Sequence, residues 1–390
     1  MIKLGFRRNS IYIIQYFIYY YVRRIIKLSI SQIFEFNDSI IFSLIMHLGE
    51  FFGGLFSFLY QNTFIKQSRE PIKLSGIKLI GNKKKMNRAD KLYKIGLLIF
   101  FAAFFDFTEY ILINYYIPRI SATRMSPTYD LRFNSITTIS SSLIFTYALR
   151  LKTGRHQFYS LLITGICLAL VVIFELIYNI NILNSFVSLL FAYLLTIMAL
   201  SLMSFTDTIE KYLYEFNFLN PLLILLLESI FGLIFVCIFS IINSPFEEIA
   251  KKYNKLKGGE FVFLIILLFF YLIFSSLVNI FKVLSNIFYS PMAKSVSSYV
   301  LNPIMIIYSF FFQNDFFSNG KQNIAYFIIN IILSIIIVFF GCVYNEFFVL
   351  HCFGLDYETH KEIATRAASQ VLEFDELSGI NENDDDEDDF

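Results

Sequence analysis

Residues 218–242 read FLNPLLILLLESIFGLIFVCIFSII. This stretch carries one charged side chain, Glu228. A hydrocarbon layer is about 30 Å thick and takes about 20 apolar helical residues to cross, so the stretch is long enough to span it. Lipid offers the backbone no hydrogen-bond partner, so a segment this long and apolar must satisfy its own amides as a helix. A barrel strand would instead show short alternating segments. Outward from 218–242, runs of the same kind recur at 37–61, 94–117, 133–151, 157–180, 185–206, 260–284, 288–313 and 323–349. The fold class read from this pattern is an all-α integral membrane protein.

Composition agrees. The chain is 56% hydrophobic and 16% charged over 390 residues, with a mean hydropathy of +0.61. A soluble domain carries roughly 25% charged residues. The 48 Phe, 25 Tyr and absence of Trp also fit an AT-rich coding sequence, which contributes part of the apolar bias. A net charge of +1 gives no global field for a nucleic acid. Cys167, Cys237 and Cys342 lie in apolar runs, Cys352 follows the last one, and none forms a CxxC pair. They read as small packing residues, and no metal site, disulfide framework or cofactor is expected. The histidines His47, His156, His351 and His360 show no HxxxH or HExxH spacing, there is no P-loop, and no inter-helix loop exceeds the basic one at 62–93. An enzyme is therefore not expected.

Segment 9–30 admits two readings. It is a first spanning helix with Arg23 and Arg24 near one end, or an interfacial amphipathic helix. The basic loop 62–93 holds Lys66, Arg69, Lys73, Lys78, Lys83, Lys84, Lys85, Arg88 and Lys91, which the positive-inside rule assigns to the cytosol. Ten helices place this loop, both termini and the loops at 151–156 and 207–217 on one side, which favours the first reading. Loops 118–132 and 243–259 then fall outside with their own basic residues and count against the rule.

The chain divides into an N-terminal segment 1–36, the rest of a first repeat at 37–180, a second repeat at 185–350 and an acidic tail at 351–390. In 133–180 a helix with Thr137, Thr138, Ser140, Ser141 and Ser142 runs through a short basic turn into a strongly apolar helix. In 288–349 a helix with Ser290, Ser295, Ser297 and Ser298 does the same. Five helices per copy would invert the second, as in transporters whose solute site lies at the repeat interface. The tail, ending in Asp384–Asp389, reads as a solvated segment, preceded by a short amphipathic helix at 357–372.

Ionisable residues inside spans cost roughly 2.5–3.5 kcal/mol each on insertion scales and persist where they face a cavity or one another. Glu50, Asp106 and Glu228 lie deepest and are expected to pair or line a cavity. Lys294 sits among Ala293, Ser295, Ser297 and Ser298, where helices approach closely. It is expected to point inward to an acid such as Asp106 or Glu228, or to an anionic substrate. Glu109, Glu175, Lys282 and Glu346 are near enough to an interface to snorkel, and His47 reads as a hydrogen-bonded packing residue. Gly49 and Gly53 form a GxxxG spacing suited to helix contact. Asn302-Pro303 interrupts an apolar run and would free backbone carbonyls there.

These residues fit a family pattern. Gly49-Glu50-Phe51, Asp106, Leu131-Arg132, Glu210-Lys211-Tyr212, Glu228-Ser229-Ile230-Phe231-Gly232 and Tyr344-Asn345 occur in order over 37–346. In this the chain resembles the drug/metabolite transporter (EamA-like) superfamily, and within it subfamily F of the solute carrier 35 family. It departs at Phe133, where the family has glycine, at Lys294, where it has arginine, and at Asn302-Pro303, where a second basic residue is usual.

The resemblance implies two inverted five-helix repeats with both termini cytosolic. It also implies an endomembrane location, in Golgi and endoplasmic reticulum or in lysosome and vacuole. The implied activity is secondary transport of a small organic solute, such as a nucleotide sugar. Glu50, Asp106, Arg132, Glu228, Lys294 and Asn302 are then the candidate translocation residues, while Gly49, Gly53, Glu210, Lys211, Pro303, Tyr344 and Asn345 are structural or topological. Two alternatives stand beside this reading: a lysosomal or vacuolar carrier of amino acids, peptides or organic cations, and a membrane scaffold with an acidic partner-binding tail. Expected partners are the bilayer and the solute; a homodimer is one open assembly.

Overall fold

The computed structural model describes residues 2–4, 10–34, 39–64, 88–117, 133–148, 153–180, 186–215, 219–243, 258–288, 294–296, 299–300, 302–304, 306–307, 317–318, 321–322, 324–351, 354–359, 362–363 and 365–366. Its long helices are α1 (Ser10–Phe34), α2 (Ser39–Phe64), α3 (Arg88–Ile111), α4 (Ser135–Ala148), α5 (Arg155–Ile180), α6 (Phe186–Glu215), α7 (Pro221–Asn243), α8 (Gly258–Phe288) and α9 (Ile324–Tyr344). A π-turn at Leu112–Tyr116 extends α3. Among the described residues, α2, α3, α5, α6, α7, α8 and α9 are long and apolar enough to cross a membrane. The chain is thus a multi-pass α-helical membrane protein. The stretch read as a helix at 288–313 lies largely outside the described residues, with short helical pieces at 294–296 and 302–304.

The helices are arranged apolar side out. Leu162, Ile166 and Ile173 on α5 are exposed, as are Ile234 and Ile238 on α7 and Ile265 and Phe269 on α8. They recur at helical spacing and form lipid-facing stripes. Inside lie Ser43, Thr138, Ser204, Ser275, Ser285 and Asn286, all essentially solvent-free. α4 carries a run of such residues: Thr138 meets Ser295 hydroxyl to hydroxyl at 2.6 Å, and Ser204 of α6 donates to the Thr137 carbonyl at 3.0 Å. Small polar side chains satisfy one another there and let backbones come close.

Glycine sets the closest packing. A Cβ on Gly49 would lie 2.8 Å from the Ser275 Cβ and 3.0 Å from the Leu272 carbonyl of α8. One on Gly53 would lie 3.1 Å from the Ser276 carbonyl. The GxxxG edge of α2 therefore seats on α8, as its spacing suggested. Next to it, Gly54 meets the backbone of Leu226 on α7.

α1 is a complete helix over the doubtful segment, but Arg23, Arg24 and Lys27 interrupt its apolar face. Lys27 lies over the rings of Phe42 and Tyr110, at 5.3 and 5.8 Å, and donates to Asn114 of the π-turn at 2.6 Å.

Among the described residues, three larger buried clusters hold the helices, beside a small one at Phe145 and Tyr344. One joins Phe133, Cys167, Val171, Tyr193, Tyr299 and Ile337. A second joins Ile30, Phe42, Tyr110, Leu264 and Tyr271, and a third Ile99, Leu213, Ile224 and Val283. The main helix contacts are α1 with α8, α3 with α6, α2 with α8, α4 with α6, α3 with α7, α2 with α7, and α5 with α9. A short strand, β1 (Ile2–Leu4), pairs antiparallel with β4 (Phe348–Leu350) just after α9; β2 (Phe317–Ser318) and β3 (Lys321–Gln322) form a two-residue hairpin.

Candidate functional site

α6 continues past the residue where its apolar run weakens, and this extension builds the site. The loop read at 207–217 is helical through Glu215. The polar trio Thr206-Asp207-Thr208 does not break the helix. Thr206 donates to the Leu202 carbonyl at 3.3 Å and Thr208 to the Ser204 carbonyl at 2.7 Å, bonds of the i−4 kind that hydroxyl side chains make within helices. Asp207 and Glu210 are thereby carried into the interior, where Glu210 has no solvent exposure.

Two lysines meet them. Lys282 of α8 places its Nζ 2.9 Å from Glu210 Oε1, 3.8 Å from Asp106 Oδ1 and 3.9 Å from Asp207 Oδ1. Lys294 is buried and bonds both carboxylate oxygens of Asp207. Asn286 donates to Glu210 Oε2 at 2.9 Å, and Lys211 donates to the Asn286 carbonyl at 3.3 Å. Sequence reasoning is corrected at three points. Lys282 does not snorkel but sits at the centre. Lys294 takes Asp207 as its partner, not Asp106 or Glu228. Glu210, read as topological, belongs to the charged centre.

Beside this group lies a second. His47 and Glu50 are one turn apart on α2, and His47 Nδ1 is 2.9 Å from Glu50 Oε2. Their ligand atoms and one from Asp106 of α3 lie within 4.8 Å of one another. The His47 ring rests against Gly232 of α7, where a Cβ would come within 2.6 Å of Nδ1. Glu228 is one turn before Gly232 and so shares that face of α7. It is 8% exposed, feels the charges of Glu210, Lys282, Asp106 and Glu50, and leaves Oε1 without a hydrogen-bond partner. No protein-family model and no curated protein matches this sequence.

Of the residues singled out from sequence, the fold brings Glu50, Asp106, Glu228 and Lys294 into one region. Asn302 goes elsewhere and donates to Ser334 of α9 at 3.0 Å, with Pro303 beside it in the helical piece 302–304. Arg132 and the acidic tail beyond 366 lie outside the described residues. Tyr344 is buried against Phe145, and Asn345 bonds back to the Gly341 carbonyl at 3.0 Å. Glu346, at φ 58°, lies 3.4 Å from His156.

Asp207 and Lys282 were the residues missed. Asp207 fell just past the end assigned to an apolar run, and Lys282 is a lone charge near the end of another. The His47-x-x-Glu50 spacing on one helix face was the available signal for the second group.

Counted among the described residues, five carboxylates (Glu50, Asp106, Asp207, Glu210 and Glu228) share the ammonium groups of Lys282 and Lys294 and one imidazole, with the Lys211 ammonium on the Asn286 carbonyl nearby. The centre is rich in negative charge. It can hold protons, a metal ion or a cationic group, and both of its lysines are already matched by acids.

Proposed function

We propose that the chain is a secondary carrier of a small organic solute, with its translocation site at the charged centre between α2, α3, α6, α7, α8 and residue 294. The observation that carries this reading is the gathering of five acids, two lysines and a histidine in the interior, Asp106 and Lys282 partly buried and the rest buried, with all but Lys294 on helices long enough to span a membrane. A structural helix bundle has no use for so many groups that each cost several kcal/mol in lipid, and a carrier uses them to bind charged cargo and coupling ions.

The helix contacts support an inverted five-plus-five repeat. If α1–α5 correspond to α6, α7, α8, the segment around 294–307 and α9, the contact of α1 with α8 has its counterpart in α6 with α3. Likewise α2 with α8 matches α7 with α3, and α2–α7 and α5–α9 each map onto themselves. That is the pattern a two-fold axis between repeats produces. Pairing of β1 with β4 supports termini on one side, as an even number of crossings requires.

Within the carrier reading, the matching of Lys294 by Asp207 argues against an anion held by Lys294. It favours a cationic or zwitterionic solute over a nucleotide sugar.

The test is thermal stability of the purified protein against amines, amino acids, short peptides and nucleotide sugars. A solute at a hundred times its Kd stabilises by about 2.7 kcal/mol. Cationic solutes should shift the transition, and Glu228→Gln should abolish both the shift and flux in vesicles. A shift with nucleotide sugars alone would overturn the cation preference. Shifts and flux absent for every class would overturn the carrier.

A further inference from the structure

We propose that His47, Glu50 and Asp106 bind one divalent first-row transition-metal ion. One imidazole nitrogen and two carboxylates are a donor set that suits Zn2+, Mn2+ or Fe2+. Their ligand atoms already lie within 4.8 Å of one another, and the 2.9 Å between His47 Nδ1 and Glu50 Oε2 is close to the roughly 3 Å between adjacent ligands of a six-coordinate ion with bonds of about 2.1 Å.

Two independent observations point to a ligand. Glu228 is 8% exposed and shares the α7 face with Gly232, which seats the His47 ring, yet its Oε1 has no hydrogen-bond partner. A buried carboxylate oxygen left so is costly unless a proton or a bound cation neutralises it. The described positive charge also falls short locally. Lys282 is 3.8 Å from Asp106 but 2.9 Å from Glu210, its closest partner, and Lys294 is held by Asp207. Among the described residues Glu50 has only the His47 imidazole as a partner, and no ion pair reaches Glu228. Gly232 has a specific part in the site: any larger residue would clash with the His47 imidazole, and the ring or α7 would have to shift.

Metal binding at this centre does not require transport, so the two readings fail separately. A chain that responds to solutes but binds no metal keeps the carrier and loses this site, and the reverse result keeps the site alone. The full chain, purified without a polyhistidine tag and stripped with chelator, is titrated with Zn2+ by calorimetry. One Zn2+ per chain is expected. Glu50→Gln and Asp106→Asn should each weaken it by on the order of tenfold or more, and His351→Gln, outside the spans, should leave it unchanged. No saturable zinc, zinc indifferent to both carboxamide variants, or zinc lost with His351→Gln overturns the site. If the carboxamide variants do not fold, a chain carrying His156→Gln, His351→Gln and His360→Gln retains His47 as its one histidine. Nitrogen coupling to bound Mn2+ in pulsed electron paramagnetic resonance of that chain supports the site, and absence of the coupling overturns it.

Discussion

Lys294 and Asp207 show what a single residue controls here. Each is nearly solvent-free, with side chains 1% and 3% exposed, and each is the other's salt-bridge partner. Removing one partner of a buried pair leaves an uncompensated charge and costs about 3–5 kcal/mol, whereas replacing both is often neutral. Lys294→Met should therefore destabilise the protein by about that amount in thermal or detergent unfolding, and Lys294→Met with Asp207→Asn should recover most of it. Equal destabilisation in the single and double variants would refute the pairing. Gly232 is a second such position. Gly232→Ala places a methyl within 2.6 Å of the His47 ring; overpacking of this sort costs about 1–3 kcal/mol. The lower unfolding temperature should be accompanied by weaker Zn2+ binding, because the ring that meets the methyl is the one beside Glu50.

At the scale of elements, helix contact depends on which glycines face a neighbour. Gly49 and Gly96 are both helical, but a Cβ at Gly49 strikes the backbone of α8 while one at Gly96 meets nothing within 4 Å. Gly49→Ala should destabilise by about 1–3 kcal/mol through forced separation of α2 and α8. Gly96→Ala should be neutral or stabilise by about 0.5–1 kcal/mol through helix propensity. Unfolding measurements on the two variants would distinguish them, and similar values would contradict the packing.

The turn after α9 gives a pH-dependent element. Asp356 accepts from His351 Nδ1 at 2.9 Å. That hydrogen bond, aided by backbone N–H groups, holds its carboxyl below the usual aspartate range. A lowered folded value means that the contribution to the turn is complete above the ordinary range near 3.9 and is lost as pH falls through the folded value. Carbon-13 NMR of the Asp356 carboxyl should titrate below the ordinary value, and His351→Gln should move it back up.

At the scale of the whole molecule, the side on which each end emerges is testable. β1 pairs with β4, and Arg155 at the start of α5 contacts Glu358 at 3.3 Å, so the chain's first residues, the start of α5 and the segment after α9 lie at one end of the helix assembly. Single cysteines at Lys3 and Tyr357 in a cysteine-free background should be labelled from the same membrane face, and labelling from opposite faces would refute the arrangement.

The sequence by itself determined that the chain is helical and membrane-embedded, because a span is declared by local length and apolarity, as at 218–242. It also marked Glu50, Asp106, Glu228 and Lys294 as out of place in lipid, because a charge in an apolar run is visible without a fold. The partners were not visible. Asp207 and Glu210 looked like loop residues until α6 was seen to continue through Thr206 and Thr208, and Lys282 looked like a helix-end lysine until α8 was set against α3 and α6. Pairing of this kind depends on which faces of distant helices meet. That choice is made by small residues such as Gly49, Gly53 and Gly232 acting on contacts far apart in the chain, and only the tertiary structure brings those residues together.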